Sequence, residues 1–510
     1  MDLDVRRTTA PKRRSLKKCA RLTSFLIGLQ MGDLVNVVAR LRALQHGEAV
    51  PVVSQRQLVI QPHARVLTLL AMAGEDTSVH AVALGRFGDA PLINICPDPR
   101  RRDDQNDLLR WLLPYIEAYY AECRASGTFP QIWVSSAGAL GHLDTLADRL
   151  RFTDEPDIQR LGNLLTYAGE RSPIAGQQAL ISATAALRAH YATGQQESED
   201  EHLGALLTWI EPPPGRDIFA SVAMAEEHPM GVKTDPRFDR NVLQPAIANF
   251  HEARDTGQPD AVIGLYRTRI QQSLESVIRP IYAATQRAIA LLNETRWRPN
   301  AGMVELEAEE ARVFQRFMID RDGGFNLPYH DRPKASAMKI VAREKAVANV
   351  EAGMLRNDHA AREKGVVNGT VLRAQLVDIV EERVRPRVFE YHIELSSHQD
   401  SLHLRRGDVL WTLEDPAQSF RINDVQRRGP LTWISGTILH GKNAAKRMVA
   451  GVTLEFGPKA PNWEGIGNEL GQMSVRLANE PWTHGDTLPA ATPVIRPRPA
   501  SLLAAVEQLT

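Results

Sequence analysis

The hydrophobic positions of the chain change their spacing from one region to the next. Between residues 52 and 150, short runs of β-branched and other apolar residues alternate with longer segments of helical spacing, which is typical of an α/β layer. Apolar residues recur at helical spacing from Leu108 to Ile116, and the acidic residues before them favour a helix start. The pattern predicts strands over residues 66–71, 79–84, 92–95 and 132–135, and helices over residues 103–124 and 140–150.

The middle of the chain has a mainly helical pattern. One helix is predicted over residues 176–190, whereas residues 227–239 are too rich in turn formers for a regular element. Longer helical patterns cover residues 260–293 and 335–364. The second of these mixes Lys, Arg and Glu with few large apolar residues, so we interpret it as a solvated stalk rather than a core helix.

From about residue 366, apolar and polar positions alternate. Short strands separated by turns that contain Gly, Pro and Asp are typical of a small β-barrel of the OB or SH3-like kind. The strands are predicted over residues 388–395, 409–413, 420–426, 431–439 and 449–456. After residue 458 the sequence is rich in proline.

These patterns together predict an α+β protein of several domains, since 510 residues exceed what one hydrophobic core usually serves. No internal repeat is evident in the sequence. The expected regions are a basic N-terminal helical segment (1–50), an α/β unit (51–152), a mainly helical part with loops (153–256), a helical stalk region (257–366), a β-barrel (367–458) and a Pro-rich tail (459–510).

Composition restricts the classes of function without choosing among them. The chain has 61 basic and 61 acidic residues, so any binding of nucleic acid or anionic lipid requires a local patch. Its three cysteines are few and widely spaced, which supports neither a disulfide framework nor a zinc site and indicates a reducing, cytoplasmic compartment. The apolar stretch over residues 22–31 is too short for a membrane span and continues as an amphipathic pattern, so we expect neither a signal peptide nor a membrane partner.

No complete catalytic motif occurs in the sequence. Residues 436–443 have the spacing of a phosphate-binding loop, but Asn443 stands where a hydroxyl group must reach magnesium, so we interpret the segment as a hairpin turn of the barrel. The first predicted strand carries no acid that could hold magnesium, and Glu75 and Asp76 come only in the turn after it. We therefore assign no catalytic residue, metal site or cofactor.

Two weaker constellations leave an alternative open. Asp235 and Asp239, with Lys233 nearby, fit a small acidic site of a metal-dependent nuclease, although such residues more often cap helices and form turns. Three histidines at positions 392, 398 and 403 lack a cysteine or carboxylate to complete a ligand set. A third possibility is a scaffold that binds only protein partners through the stalk and helices.

A basic surface is the strongest candidate for a binding site. Cationic side chains fall at turns and strand ends of the predicted barrel, together with two tryptophans, and such barrels bind nucleic-acid backbones with aromatic stacking. The residues are Arg405, Arg406, Trp411, Arg427, Arg428, Lys442, Lys446 and Arg447. The alternative is that the cations only solvate turns and that the tryptophans belong to the core.

Several stretches resemble one family. Residues 65–70 (RVLTLL) are similar to a first RNase H-like strand, and residues 131–134 (QIWV) with 143–149 (LDTLADR) are similar to a later strand and helix. Residues 171–174 (RSPI), 228–239 and 335–456 extend the similarity. In this order they resemble the region upstream of the motor in bacterial superfamily 1 helicases that have a RecB-like or RNase H-like front half.

The resemblance implies a function as well as a fold. It implies an RNase H-like α/β unit that is catalytically inactive, because the first strand lacks acids, followed by the stalk and barrel. The chain is then expected to be a nucleic-acid-binding accessory component without a motor. Its expected partners are single-stranded or forked DNA and a separately encoded helicase or nuclease.

Overall fold

The computed structural model describes residues 34–74, 78–171, 178–299, 302–324, 333–386, 388–399, 402–415 and 417–458. The chain divides into two compact units, of which the first comprises Met1–Leu327 and Ala346–Ala460 and the second Pro328–Lys345 and Pro461–Thr510. The sheet and the barrel described below both belong to the first unit.

The described strands are β1 (Val50–Pro51), β2 (Arg65–Leu70), β3 (Ala81–Arg86), β4 (Leu92–Ile95), β5 (Ile132–Val134), β6 (Leu180–Ser182), β7 (Tyr191–Ala192), β8 (Leu372–Arg385), β9 (Val388–Ser397), β10 (Val409–Thr412), β11 (Ser419–Arg428), β12 (Leu431–His440) and β13 (Thr453–Pro458). The described α-helices are α1 (Leu34–His46), α2 (Arg102–Ala125), α3 (Ala137–Leu150), α4 (Pro156–Glu170), α5 (Ala183–Arg188), α6 (Leu203–Ile210), α7 (Ile218–Glu226), α8 (Gln244–Asp255), α9 (Asp260–Leu292), α10 (Gly302–Asp322), α11 (Pro333–Asn357), α12 (His359–Asn368) and α13 (Lys442–Ala445). A helical turn at Pro236–Phe238 and a π-helical turn at Asp239–Leu243 precede α8.

A five-stranded mixed sheet lies in the N-terminal half, in the order β4-β3-β2-β5-β6. Strand β3 is antiparallel to its neighbours β2 and β4, whereas β5 and β6 run parallel to β2. Successive residues of β2 face opposite cores: Leu67 packs with α2, α3 and α4, and Val66 packs with α9 and α5. Burial on both faces explains why β2 reads as an uninterrupted apolar run.

The predicted strands and helices of this layer are confirmed to within a few residues, since each forms an element close to its predicted range. The helix predicted over residues 176–190 is confirmed only in part, as the short α5 over Ala183–Arg188. Leu180–Ser182 instead forms β6, paired in parallel with β5, and the Ser182 hydroxyl accepts a hydrogen bond from the Ala185 N–H to start the short α5. Pairing with β5 therefore determines the conformation of Leu180–Ser182 more strongly than the helical spacing of the sequence does.

The predicted barrel is confirmed as a closed, six-stranded antiparallel barrel in the order β10-β11-β12-β9-β8-β13. Its core includes Leu376, Leu395, Phe420, Ile434 and Phe456. Strand β8 was not predicted, because its second half is exposed and rich in Glu and Arg instead of alternating.

The segment with phosphate-loop spacing does not form a phosphate-binding loop. Residues 436–440 lie within β12, and Gly441, at a φ of 75°, leads into the one-turn helix α13. The prediction of a hairpin turn is therefore wrong in detail, since a strand end and a short helix occupy the segment.

The stalk pattern over residues 335–364 is broken at a single residue, Asp358, which separates α11 from α12. The fully buried Asp358 carboxylate accepts hydrogen bonds from the N–H groups of Ala360 and Ala361 and from the N–H groups of Ser54 and Gln55. It thus joins the start of α12 to the segment before the sheet, about three hundred residues away. On the barrel side, Glu455 of β13 binds both Arg362 of α12 and Arg373 of β8.

Among the helices of the described ranges, none is long and apolar enough to cross a membrane.

Candidate nucleic-acid interface

The predicted cationic residues lie at both ends and in the middle of the β10–β11–β12 side of the barrel, where Lys442 and Lys446 also contact Phe389 of β9. Arg427 and Arg428 end β11, where Arg428 pairs with Leu431 at the start of β12. Lys442, Lys446 and Arg447 follow His440, at the opposite end of the same strand. Because β12 has ten residues at about 3.3 Å each, the two groups are about 30 Å apart.

At the hairpin end, Trp433 lies on the outer face of β12 between Gln426 of β11 and Ser396 of β9. The indole is partly exposed, and the Arg428 guanidinium carbon lies 5.3 Å from its ring centroid. An Arg428 Nη2–H also donates to Gln426 Oε1 at 2.9 Å. The ring is therefore not core, and a guanidinium is held over an aromatic face at an exposed tip.

The middle of this side carries Arg405 and Arg406 in the turn before β10. The turn is fixed to β11, because the Gly407 N–H donates to the Ile422 carbonyl at 2.8 Å and the Ile422 N–H donates to the Asp408 carbonyl at 2.9 Å. Both arginine side chains are exposed.

Arg421 belongs to the same side and was missed by the sequence analysis. It is exposed on β11 between Val409 of β10 and Thr437 of β12. Its neighbours Phe420 and Ile422 are buried in the barrel, so strict alternation along the strand was a signal that could have found it.

At the far end, Trp411 stacks on His440 with ring centroids 5.5 Å apart and planes 21° apart. The Ser419 hydroxyl and His440 Nδ1 are hydrogen-bonded at 2.9 Å, which fixes the imidazole. Lys442 Nζ donates to the Phe389 carbonyl at 2.9 Å, so that ammonium is a structural anchor. Lys446 and Arg447 are exposed beside it.

On the opposite side of the barrel, carboxylates of β8 and β9 lie beside the exposed Arg383 and Arg385 of β8. Asp378 of β8 pairs with Glu394 of β9, and Glu382 pairs with Glu390 further along the same two strands. His392 lies between them, with its Nε2 3.0 Å from Glu382 Oε2. Carboxylates repel a polyanion, and the five carboxylates of these two strands outnumber the three arginines of β8.

The carboxyl edge of the sheet, where β2, β4 and β5 end, is covered by the chain itself. Thr234 donates its N–H to the Ala71 carbonyl at 3.0 Å, and the Ala73 N–H donates to Asp239 Oδ2 at 2.8 Å. His251 of α8 lies 3.0 Å from Asp98, which follows β4. The segment from Val232 to α8 thus crosses this edge.

The acids considered for a nuclease site have structural contacts here. Asp239 is buried, and its second oxygen accepts the Thr234 hydroxyl. Asp235 caps the following helical turn by accepting the N–H groups of Arg237 and Phe238. Capping and anchoring therefore account for both carboxylates. Glu75 and Asp76 lie outside the described residues.

Within the described part of the chain, no group of three or more His, Cys, Asp and Glu side chains is arranged to hold a metal ion.

Comparison of the chain with protein-family models, with curated proteins and with solved structures finds no match.

Proposed function

We propose that this chain is a nucleic-acid-binding accessory component of a helicase or nuclease system, and that the barrel is its binding element. The observation that carries the proposal is the charge division of the barrel. Exposed cations lie beside the aromatic rings of β10 and β12, whereas carboxylates outnumber arginines on β8 and β9. A polyanion with unpaired bases is the ligand that gains both from the cations and from stacking on the rings.

The sheet supports an RNase H-like origin for the N-terminal unit. In chain order its first three strands form an antiparallel meander, and the next two run parallel to the first, on its other side. This is the strand arrangement of RNase H-like folds. Strand β2 has no acidic residue and the carboxyl edge is covered by the segment before α8, which supports a unit that positions nucleic acid without cleaving it.

A separately encoded partner would supply the motor. The segment with phosphate-loop spacing lies in a barrel strand and a one-turn helix, so it does not provide a nucleotide site. The proposal therefore assigns translocation or cleavage to a helicase or nuclease that acts with this chain.

The test is a salt titration. Fluorescent single-stranded DNA is titrated with the intact protein at rising salt, and anisotropy reports binding. We expect the affinity to fall steeply with salt, because phosphate contacts release counterions. The double substitution Arg427→Ala/Arg428→Ala should make the slope of log affinity against log salt shallower by about 1.4, since each phosphate contact on a single strand contributes about 0.7.

The matched control is Arg267→Ala/Arg269→Ala, which removes two exposed arginines of α9, away from the barrel strands. It should leave the slope unchanged. The proposal is wrong if the wild type does not bind at low salt, or if both double variants change the slope equally.

A further inference from the structure

We infer that one single strand lies lengthwise along the outer face of β11, from the hairpin at Arg428 to α13, and so contacts both ends of the barrel at once. This inference rests on the proposed function and specifies the form and length of its ligand.

The two ends of this path have the same chemistry. At the hairpin end a partly exposed indole, Trp433, lies under a guanidinium. At the α13 end a second indole, Trp411, is stacked on His440 and followed by the exposed Lys446 and Arg447. Each end thus offers a ring for a base and cations for the adjoining phosphates, which is the combination that binds unpaired nucleotides.

The space between the ends is also cationic. Arg421 projects from the outer face of β11, and the turn with Arg405 and Arg406 is hydrogen-bonded to the main chain at Ile422. Ile422 lies between Ser419 and Arg428, the first and last residues of β11. The longest step between cationic residues along β11 is from Arg421 to Arg427, about 20 Å at the usual strand rise.

The acidic side fixes the direction of the path. A strand that crossed the barrel strands from the middle of β11 would meet Glu394 of β9, which is paired with Ser435 of β12 and with Asp378 of β8. A lengthwise path on β11 avoids them. The one acid on the β11 path, Asp424, accepts a hydrogen bond from the Gln426 amide at 2.7 Å.

The path has a defined length. Its ends are about 30 Å apart, and a stacked strand advances about 3.4 Å per nucleotide, so about nine nucleotides are needed to reach both ends. This length falls within the site sizes of about 4–16 nucleotides known for small barrels. An oligonucleotide of about four nucleotides can occupy only one end.

The experiment compares stoichiometry at two lengths. Oligothymidylates of about four and about ten nucleotides are titrated into the intact protein at low salt, with tryptophan quenching and calorimetry as readouts. We expect two short molecules per protein but one long molecule per protein. The series is repeated with oligodeoxyuridylate and oligouridylate, which differ only in the 2′-hydroxyl, and the tighter of these two identifies the preferred sugar.

Variants at each end complete the design. Lys446→Ala/Arg447→Ala and Arg427→Ala/Arg428→Ala should each remove one of the two short-oligonucleotide sites and lower the affinity for the long one at least tenfold. Arg267→Ala/Arg269→Ala should change neither. The lengthwise path is overturned if Lys446→Ala/Arg447→Ala leaves long-oligonucleotide binding unchanged while Arg427→Ala/Arg428→Ala weakens it, whereas failure of every oligonucleotide to bind overturns the proposed function itself.

Discussion

Two histidines are buried completely in the N-terminal unit and carry no charge at neutral pH. Burial lowers the pKa of both His80 and His190 to about 4. His80 Nδ1 donates to the Cys96 carbonyl at 2.6 Å, and His190 Nε2 accepts the Gln57 N–H at 3.1 Å. Both rings therefore hold loops beside the sheet as neutral hydrogen-bonding groups.

The lowered pKa values predict acid sensitivity. Because the pKa of His80 is lower in the folded than in the unfolded chain, its contribution to stability is complete above the unfolded value of about 6.5 and is lost as the pH falls toward 4. Each histidine should reduce the free energy of unfolding by about 2 kcal/mol between pH 7 and pH 5. Urea unfolding at the two pH values measures this loss.

The substitution His80→Asn, which keeps a donor for the Cys96 carbonyl, should remove one of the two contributions. Burial raises the pKa of the carboxyl groups of Asp200 and Glu310, which increases stability as the pH falls. The loss of unfolding free energy between pH 7 and pH 5 is therefore compared between wild type and variant. The control is His359→Asn, because the His359 side chain is exposed. Identical pH profiles for wild type and His80→Asn would contradict the assignment.

At the scale of elements, the join between α11 and α12 depends on one carboxylate. Asp358 caps α12 and also accepts hydrogen bonds from the Ser54 hydroxyl at 2.8 Å and from the Gln57 side-chain amide at 3.0 Å. A helix cap usually satisfies one or two donors of its own helix. This cap also satisfies donors of a distant segment, so it fixes the direction in which the chain enters the barrel.

Substitution Asp358→Ala should therefore lower the free energy of unfolding by about 3 kcal/mol or more, since it removes a cap and leaves several buried donors unpaired. The matched control is Asp217→Ala, which removes the exposed cap of α7 with its single bond to the Ala220 N–H at 2.9 Å. That change should cost about 1 kcal/mol. Urea unfolding of both variants measures these changes. Equal losses of unfolding free energy would show that the contacts of Asp358 with the segment at Ser54 do not contribute to stability.

At the scale of the whole molecule, the apolar side chains form separate cores. The sheet has one core on each face, and the barrel has a third core that draws only on residues from Leu372 onward. Polar contacts join α12 to both parts: Asp358 binds Ser54 on the sheet side, and Glu455 of the barrel binds Arg362 of α12 and Arg373 of β8. Such an arrangement allows the barrel to open without the sheet.

A core substitution in the barrel should reveal this independence. Ile434 is fully buried, so Ile434→Ala should destabilise the barrel by about 2–5 kcal/mol. Hydrogen exchange followed by mass spectrometry should then show faster exchange over residues 372–458 and unchanged exchange in β2. Leu67→Ala, in the sheet core, is the reciprocal control. Equal acceleration in both regions for either variant would indicate a single cooperative unit.

Much of the fold could be predicted because its elements are locally consistent. The apolar run of β2 and the helical spacing of α2 each match the burial of that element. The sequence pattern and the tertiary environment therefore favour the same secondary structure. The failures have physical causes. Strand β8 ends in an exposed, charged arm that lacks alternation, and β6 is a strand only because β5 lies beside it.

The sequence by itself determined the strands β2 to β5 with their helices, the presence of a barrel and the types of side chain available to bind a polyanion. Only the tertiary structure decided which of those side chains lie on the same side. The pairing of β12 with β9 and of β13 with β10 closes the barrel and places the cations of β11 on the side away from the carboxylates of β8. Register is a property of paired strands, so no local pattern could place Arg428 and Lys446 at opposite ends of one path.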